Sequence, residues 1–248
     1  MDQQRRRAAA HAFVDPDQLD APSLTVGDAD RHHLDRVLRL RPGQPVVASD
    51  GAGRWRACQW APGGRLDPSG PVLSEPAPEP AVVVGFAVLQ GDRSDWVVQK
   101  LTELGVDRLL PFVAERSVVR WDAGSERALR QADRWRRVAR EAAMQSRQVR
   151  LPAVEEVRAL PELVADLGAA PGPSPALAEA GGARPGLDRP LVLIGPEGGW
   201  SSAELALGLP GVDLGPSVLR AETAAIAAGV LLCGLRSRLI QHEGAGSA

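Results

Sequence analysis

Two glycine-containing segments in the C-terminal quarter of the chain carry the residue types best suited to chemistry. The first, residues 195–201 (GPEGGWS), follows the buried-strand pattern Leu191 to Ile194. Its glycines allow a ligand to approach the backbone closely, and the helix that follows offers unpaired N–H groups at its N-terminus. The carboxylate of Glu197, without a phosphate-binding lysine nearby, suits a cofactor that is not an anion. A rigid strand-to-helix turn is the alternative interpretation.

The second segment, residues 214–224 (LGPSVLRAETA), also joins a predicted strand to a predicted helix. In a sheet of parallel strands such loops meet at the carboxyl ends of the strands, where ligands bind. We therefore expect both segments to line one pocket. Small residues, including Ala224 and Gly229, begin the last helix and permit close backbone approach, although tight core packing explains them equally well.

Other nucleotide and metal chemistries lack their motifs. The chain contains no G-x-x-x-x-G-K-[ST], and no predicted strand is followed by G-x-G-x-x-G, so ATP hydrolysis and ordinary dinucleotide binding lose their main support. HExxH and GxSxG are also absent. Cys58 and Cys233 are far apart, and no cysteine lies near the N-terminal histidines, so we expect neither a disulfide framework nor a metal site.

The elements that must position these segments form an α/β pattern. Residues 1–73 read as a small β-rich domain, with a hairpin centred on residues 50–53 (DGAG). Residues 74–80 hold three prolines and predict a linker. Residues 81–248 alternate strand and helix signals, which predicts a mainly parallel sheet with helices on both faces.

Within the second domain the pattern predicts individual elements. A buried strand 81–89 is followed by a helix that is capped by Ser94 and stops at Gly105, with Trp96, Val97, Leu101 and Leu104 on one face. Next come a strand 107–113, a helix 125–148, a weaker strand and helix in 153–167, and a loop 168–190 with a short strand 176–178. The last predicted elements are a helix from the Ser201/Glu204 capping box to near Gly208, a strand 212–214 and a helix 220–241.

Charge distribution says more than the net charge of −2. Residues 116–150 hold ten basic and four acidic side chains, which is typical of a surface that contacts a phosphate backbone, although a solvated charged helix gives the same count. The longest apolar run, residues 224–233, is too short for a membrane helix, and no apolar segment follows the N-terminal arginines as a signal peptide requires. The expected location is therefore the cytoplasm.

The order of motifs along nearly the whole chain resembles the bacterial 16S rRNA (uracil-N3)-methyltransferase family, the RsmE type of the SPOUT class. The segments that carry the resemblance are residues 33–43, 50–51, 99–106, 115–117, 134–146, 193–201, 214–215 and 219–224. The resemblance implies a PUA-like N-terminal β-barrel that binds RNA, a C-terminal domain with a trefoil knot, a homodimer, and transfer of a methyl group from S-adenosylmethionine to N3 of a uridine in the small ribosomal subunit.

Site residues follow from this resemblance. The cofactor would be held by Leu193, Ile194, Gly195, Glu197, Gly198, Gly199, Leu214, Gly215, Val218, Leu219 and Thr223. Arg220 would stabilise negative charge on the uracil, although its pairing with either Glu222 or Glu197 is an equal alternative. Glu222 or Glu197 would accept the proton, although capping of backbone amides is the more common role for such carboxylates. The RNA would be contacted by Arg5, Arg6, Arg7, Arg39, Arg116, Arg130, Arg134, Arg137 and Arg147.

The chain departs from the family pattern in three places, one of which is Ser217, where members often carry an arginine. Residues 145–149 read QSRQV, where members often carry Gln-[Ser/Cys]-Gly-Arg-Asn, so the polar asparagine near the target base is missing. His11-Ala12 stands where an arginine usually precedes Phe13-Val14. Two alternatives stay open: another knotted methyltransferase that acts on ribose 2′-O or on tRNA, and a non-catalytic RNA-binding protein of the same fold.

Overall fold

The computed structural model describes residues 3–241, which divide into two compact units. One unit is Met1–Ala77 with Arg140–Leu151, and the other is Pro78–Ala139 with Pro152–Ala248. The sequence interpretation kept 81–248 continuous, whereas the structure groups residues 140–151 with the N-terminal unit. Residues 1–2 and 242–248, which the predicted domains include, lie outside the described residues.

Backbone hydrogen bonds explain why residues 140–151 join the first unit. The Leu151 N–H donates to the Gly51 carbonyl at 2.8 Å, and the Gly53 N–H donates to the Val149 carbonyl at 3.0 Å. The side chain of Val149 is buried in a small apolar cluster that includes Trp55. These contacts join positions about a hundred residues apart, so local sequence patterns do not reveal them.

The first unit is built around one five-stranded sheet in the order β1-β3-β4-β5-β2. Its elements are α1 (Gln3–Arg7), β1 (Ala10–Phe13), a 3₁₀ turn (Pro16–Gln18), β2 (Leu24–Thr25), α2 (Asp28–His32), a π-helical turn (His33–Val37), β3 (Pro45–Ser49), β4 (Arg54–Ala61) and β5 (Arg65–Ser74). Strands β3 and β4 form the predicted hairpin, in which Asp50 Oδ1 accepts the N–H groups of Ala52 and Arg54. Strand β1 pairs with β3 in parallel.

The second unit contains a seven-stranded sheet in the order β12-β10-β11-β6-β7-β8, with β9 also paired to β7. Its elements are β6 (Val83–Ala87), α3 (Arg93–Leu104), β7 (Arg108–Val113), α4 (Glu126–Ser146, whose last residues belong to the first unit), β8 (Ala153–Val154), β9 (Arg158–Ala159), α5 (Leu160–Ala169), β10 (Ala176–Ala183), β11 (Leu191–Ile194), α6 (Ser202–Leu205), β12 (Gly211–Val212) and α7 (Ala221–Arg236). Every strand pair in this sheet is parallel, which confirms the predicted α/β class.

Apolar residues on both faces of the sheet explain why helices pack against each face. Along β6 and its flanks, Val84 and Phe86 face a cluster that includes residues of α3, α4 and α7. Val83 and Ala87 face a second cluster that includes residues of α5 and Trp200. Successive side chains of a strand point to opposite faces, so a continuous apolar run such as 81–89 predicts a strand buried on both sides.

Several predicted details of the second unit are wrong. Helix α3 begins at Arg93 with Asp92 as its N-cap, and the buried Ser94 hydroxyl instead accepts the Leu89 N–H at 2.9 Å. Trp96 is exposed rather than on the buried face. Strand β10 extends to Ala183 inside the predicted loop, where Ala183 pairs with Val212 of β12 after a register shift.

The ends of two helices also differ from the prediction. Helix α6 ends at Leu205 rather than near Gly208, and α7 ends at Arg236 rather than at residue 241. The Ser201/Glu204 capping box is present as predicted. None of the helices within residues 3–241 combines the length and apolarity that a membrane span requires.

His11 makes the stability of the first unit depend on pH. Its Nε2 lies 3.0 Å from the Ser49 hydroxyl, and Nδ1 is buried without a hydrogen-bond partner. Burial, together with the positive charges of Arg147, Arg5 and Arg140, lowers the pKa of His11 to about 3. Folding therefore keeps the ring neutral, while the unfolded chain binds a proton below the ordinary histidine value of 6.5.

We expect the free energy of unfolding to fall as the pH drops from about 6.5 towards 3, by up to ~1.4 kcal/mol per pH unit from this one group. His11→Gln should flatten that slope, because the amide can still bond to Ser49 and binds no proton. Urea denaturation at a series of pH values measures the effect. His33→Gln, at an exposed position, is the matched control; equal slopes in the two variants would contradict the assignment to His11.

Candidate functional site

Three adjacent parallel strands bring the two glycine segments to one edge of the sheet. Strand β10 lies between β11 and β12, with Ala176 opposite Val192 and Ala178 opposite Val212. Because the strands are parallel, the segments that follow β11 and β12 emerge on the same side. The structure therefore brings together residues 195–201 and 214–224, as the sequence predicts.

A cavity of about 590 Å³ lies between these segments, within the size range of roughly 300–1,000 Å³ typical of small-molecule and cofactor sites. It is lined by Ala178, Glu179, Ala180, Ile194, Gly195, Pro196, Glu197, Gly199, Trp200, Leu205, Val218, Leu219, Arg220, Ala221 and Ala224. The predicted cofactor residues Ile194, Gly195, Glu197, Gly199, Val218 and Leu219 are part of this wall. Leu193 lies in β11, and Gly198, Leu214, Gly215 and Thr223 lie in the two segments, but none of these five is a lining residue.

Sequence reasoning missed the contribution of β10 to this wall. Residues 178–180 line the cavity, although the sequence predicts that the strand ends at Ala178. Trp200, in the first segment, donates its indole N–H to the Ala178 carbonyl at 3.0 Å and stacks on Phe112. The first segment is thus fixed to the neighbouring strand. An alanine-rich, glycine-rich stretch gives no signal of this role.

The glycines of the first segment are required for two different reasons. A side chain at Gly198 would meet the Arg116 backbone oxygen at 3.1 Å and Arg116 Cβ at 3.0 Å. Gly199 has open space around its Cα but a φ of +70°, a left-handed conformation that side chains disfavour. Next to them, the buried Glu204 carboxylate accepts the Ser201 N–H and the Glu115 N–H, both at 2.8 Å, and so secures the end of the segment.

Asp213 fixes the start of the second segment. Its carboxylate accepts the Gly215 N–H and the Gly181 N–H, each at 2.9 Å. These two hydrogen bonds lower the pKa of Asp213 below its ordinary value, and the bond from Gly215 has the larger effect. The second segment is therefore tied to β10, which carries Gly181. Beyond it, Val218 is fully exposed at the mouth of the cavity, and Arg220 is the N-cap residue of α7.

The carboxylates of the two segments share one cation. Arg93 Nη1 lies 2.5 Å from Glu197 Oε1 and 3.8 Å from Glu222 Oε2. Arg220, by contrast, has no ion-pair partner within residues 3–241, so the alternative in which it pairs with Glu222 or Glu197 is wrong. Arg93 takes that place, and the Arg220 guanidinium is left at the cavity wall.

The arginines of the second unit that were predicted to contact RNA are all exposed, but most make contacts within the protein. Arg130 pairs with Glu126 at 2.8 Å, and Arg134 pairs with Asp95 at 2.5 Å. Arg116 donates to the Gly198 carbonyl at 3.3 Å, beside the cavity. Arg137 has no ion-pair partner among the residues described.

In the first unit, some of the arginines that were predicted to contact RNA are exposed and one is buried. Arg6, Arg7 and Arg39 are exposed. Arg5 contradicts the prediction: its guanidinium is buried, pairs with Glu75 at 3.0 Å and lies over the Trp55 ring, so it is not available to a phosphate group. A run of three arginines gave no sign that one faces inward.

The segment that departs from the family pattern also lies in the first unit. Arg147 has a φ of +63°, a strained value for a residue with a side chain, and it donates to the Ala9 carbonyl at 3.2 Å. Burial lowers the pKa of Arg147. Val149, at the position of the missing asparagine, is buried among apolar residues and presents no polar group.

No group of three or more potential metal ligands occurs within residues 3–241. The candidate site therefore consists of backbone, apolar side chains, two carboxylates on the cavity wall and one arginine. Such a wall has no cluster of cations to hold phosphates.

Comparison with known proteins identifies a family. A family model described as an RNA methyltransferase domain matches residues 76–232. The ribosomal RNA small subunit methyltransferase E of Mycobacterium bovis is 36% identical over 229 residues, which cover 84% of this chain and 86% of that protein. The chain belongs to the ribosomal RNA small subunit methyltransferase E family.

Other members of this family extend the comparison. The Bacillus subtilis methyltransferase E is 29% identical over 83% of this chain and 87% of its own length. The crystal structure of a methyltransferase E from Neisseria gonorrhoeae bound to S-adenosyl methionine is 26% identical, with a TM-score of 0.72, and covers 91% of this chain and 97% of that chain.

Proposed function

We propose that this member of the methyltransferase E family transfers a methyl group from S-adenosylmethionine to N3 of a uridine in the 16S rRNA of the small ribosomal subunit. The observation that carries the proposal is the cavity of about 590 Å³ whose wall is formed by residues of both glycine segments and by residues 178–180 of β10. It lies in the part of the chain that matches the RNA methyltransferase domain.

The chemistry of the wall fits this cofactor. Its ionisable residues are Glu179, Glu197 and Arg220, so two carboxylates and one guanidinium surround the cavity. Because Arg93 pairs with Glu197, the remaining charges of Glu179 and Arg220 leave the wall close to neutral, without the cluster of cations that a phosphate-bearing cofactor needs. When bound, S-adenosylmethionine supplies a methyl group activated by a positively charged sulfur. Gly195 and Gly199 allow an adenosine group to approach the backbone.

The residues of this chain would act on the uracil. In the reaction the N3–H proton leaves, a bond forms between N3 and the methyl carbon, and the bond from that carbon to sulfur breaks. Of the two predicted bases, Glu197 lines the cavity and would accept the proton, whereas Glu222 is buried and is not a lining residue. Arg220, which has no ion-pair partner within residues 3–241, would stabilise negative charge on uracil O2 or O4.

The proposal extends to the RNA and to the assembly. The first unit would act as a PUA-like β-barrel that binds rRNA, free or within the assembled subunit, together with Arg6, Arg7, Arg39, Arg116, Arg130, Arg134, Arg137 and Arg147. The second unit would carry the trefoil knot of the SPOUT class, and the protein would work in the cytoplasm as a homodimer.

Nucleoside analysis of 16S rRNA tests the reaction directly. A strain without this protein should lack N3-methyluridine at one position, and the purified protein with S-adenosylmethionine should restore it on rRNA or on small subunits from that strain. Loss of a ribose 2′-O-methyl or a tRNA modification instead would identify a different methyltransferase. Calorimetry with no heat at saturating S-adenosylmethionine would indicate an RNA-binding protein without catalytic activity.

Gly199→Val should abolish binding of S-adenosylmethionine while the fold is retained. The reason is that the wall position has a φ of +70°, so a branched side chain would change the backbone beside the ligand. Calorimetry measures the binding and thermal unfolding measures the fold. Gly124→Val, at a glycine with a φ of +74° that does not line the cavity, is the matched control. Undiminished binding in Gly199→Val would refute the assignment of this cavity.

Replacing Arg130, Arg134 and Arg137 by glutamine should flatten the dependence of log K on log salt concentration for rRNA binding. Each lost phosphate contact should reduce the slope by ~0.7–0.9. Filter binding or fluorescence anisotropy at several salt concentrations measures the slope. A triple variant of Arg158, Arg184 and Arg189 removes the same charge from other positions; an equal change in both triple variants would show that net charge alone acts.

The exposed side of α7 is the surface proposed for the homodimer. Val230 and Thr223 are exposed and Ile226 and Ala227 are half-buried, at spacings of three and four residues that place them on one helix face. Ala228→Arg is the substitution that the apolar run 224–233 suggests as a test of this dimer. Ala228 is fully buried in the apolar cluster of its own unit, so that substitution would disrupt the core instead.

Val230→Arg is therefore the appropriate substitution. It should convert the dimer to a monomer and lower methyl transfer together, because an unpaired charge in an interface is costly. Sedimentation at micromolar concentration measures the assembly. Leu239→Arg, at an exposed apolar position beyond the helix, is the control. A wild-type monomer with full affinity for S-adenosylmethionine would refute the homodimer as the form that binds the cofactor.

A further inference from the structure

Arg93 contacts the carboxylates of both glycine segments at once. Its Nη1 lies 2.5 Å from Glu197, which follows β11, and 3.8 Å from Glu222, in the first turn of α7. Arg93 itself belongs to a third element, the first turn of α3 after β6. One guanidinium therefore joins three loops that follow three different strands.

The position of Arg93 is itself restricted by the backbone. Its Nε donates to the Gln90 carbonyl at 3.1 Å, within the loop that precedes α3. A guanidinium presents its donors in a rigid plane, so fixing Nε also limits the direction of Nη1. Arg93 thus imposes a geometry on Glu197, which lies between strand β11 and the end of the segment that Trp200 and Glu204 hold.

Glu222 depends on the same cation. Its side chain is almost completely buried, and Oε2 has no hydrogen-bond partner. A buried carboxylate without a counter-charge is strongly unfavourable. Arg93 is the cation within ion-pair distance of Glu222 in the described part of the chain.

We propose that Arg93 is a positioning residue: by holding Glu197 and Glu222 together it fixes the two glycine segments in the shape that binds the methyl donor. This rests on the proposed function. Glu197 lines the cavity whereas Arg93 is not among the lining residues, so Arg93 acts through Glu197 and not by touching the cofactor. A wall fixed before binding loses less conformational entropy when the ligand binds.

Two ligands of different charge separate this role from simple electrostatics. S-adenosylmethionine carries a positive sulfur, whereas S-adenosylhomocysteine, the product, has a neutral one. If Arg93 shapes the wall, Arg93→Gln should weaken both ligands alike, by about tenfold. If Arg93 acted only through its charge, its removal would favour the cation, so S-adenosylmethionine would bind more tightly and the neutral ligand would be unaffected.

The experiment is calorimetric titration of both ligands into the full-length protein and into Arg93→Gln, Glu197→Gln and the double variant. We expect each single variant to raise both Kd values by a similar factor. The Kd values of the double variant should not exceed those of the single variant that binds less tightly, because both substitutions remove the same ion pair. Arg93→Lys, which keeps an ion pair with Glu197, should recover most of the affinity. Arg158→Gln, which removes a pairing with Asp166 on α5, should leave both Kd values unchanged.

A second pair of variants guards against misfolding. Arg93→Gln leaves Glu222 without a counter-charge, so thermal unfolding should occur at lower temperature, and adding Glu222→Gln should restore part of the loss. The double variant Arg93→Gln/Glu222→Gln should still bind both ligands weakly, relative to Glu222→Gln alone. Unchanged Kd values, additive effects of Arg93 and Glu197, or tighter binding of S-adenosylmethionine alone would each overturn the proposal. Failure of the wild-type protein to bind either ligand would instead contradict the proposed function.

Discussion

The parallel pairing of β10 between β11 and β12 is the constraint on which the candidate site depends. It places the carboxyl ends of three strands side by side, so segments separated by about 20 to 40 residues in sequence form one wall. Trp200 and Asp213 then attach the two glycine segments to β10 from either side, through bonds to Ala178 and Gly181. Without that central strand neither segment would have a fixed position.

The electrostatics of the site follow from how few cations it contains. Glu197 and Glu222 share Arg93, and Arg220 remains at the wall without an ion-pair partner within residues 3–241. This division gives the two arginines different properties, although both are close to the same segments. Arg93 is held by a backbone carbonyl and by carboxylates, which suits a role in shape, whereas a guanidinium without a carboxylate partner can respond to charge on a ligand.

The first unit shows how a chain can alter a family pattern at some cost in backbone strain. Arg147 adopts a left-handed conformation at the end of α4, where the family pattern has glycine, and its guanidinium bonds to Ala9 next to β1. The same segment buries Val149 beside Trp55. Both residues therefore contribute to the packing of the first unit, and the polar role of the family asparagine has no counterpart at position 149.

Local patterns in the sequence determined much of the fold. The valine-rich run of β6, the alternation of strands and helices, the capping box of Ser201 and Glu204 and the glycine-rich segment 195–201 all depend on neighbouring residues, so they could be predicted without a structure. They also located most of the cavity wall. The tertiary structure decided what depends on distant contacts: the extension of β10 by pairing with β12, the inclusion of residues 140–151 in the first unit, and the inward direction of Arg5. It also decided which arginine pairs with Glu197 and Glu222. Arg93 lies about 100 residues away from Glu197 in sequence, and an ion pair of that separation leaves no periodicity or spacing by which the sequence could reveal it.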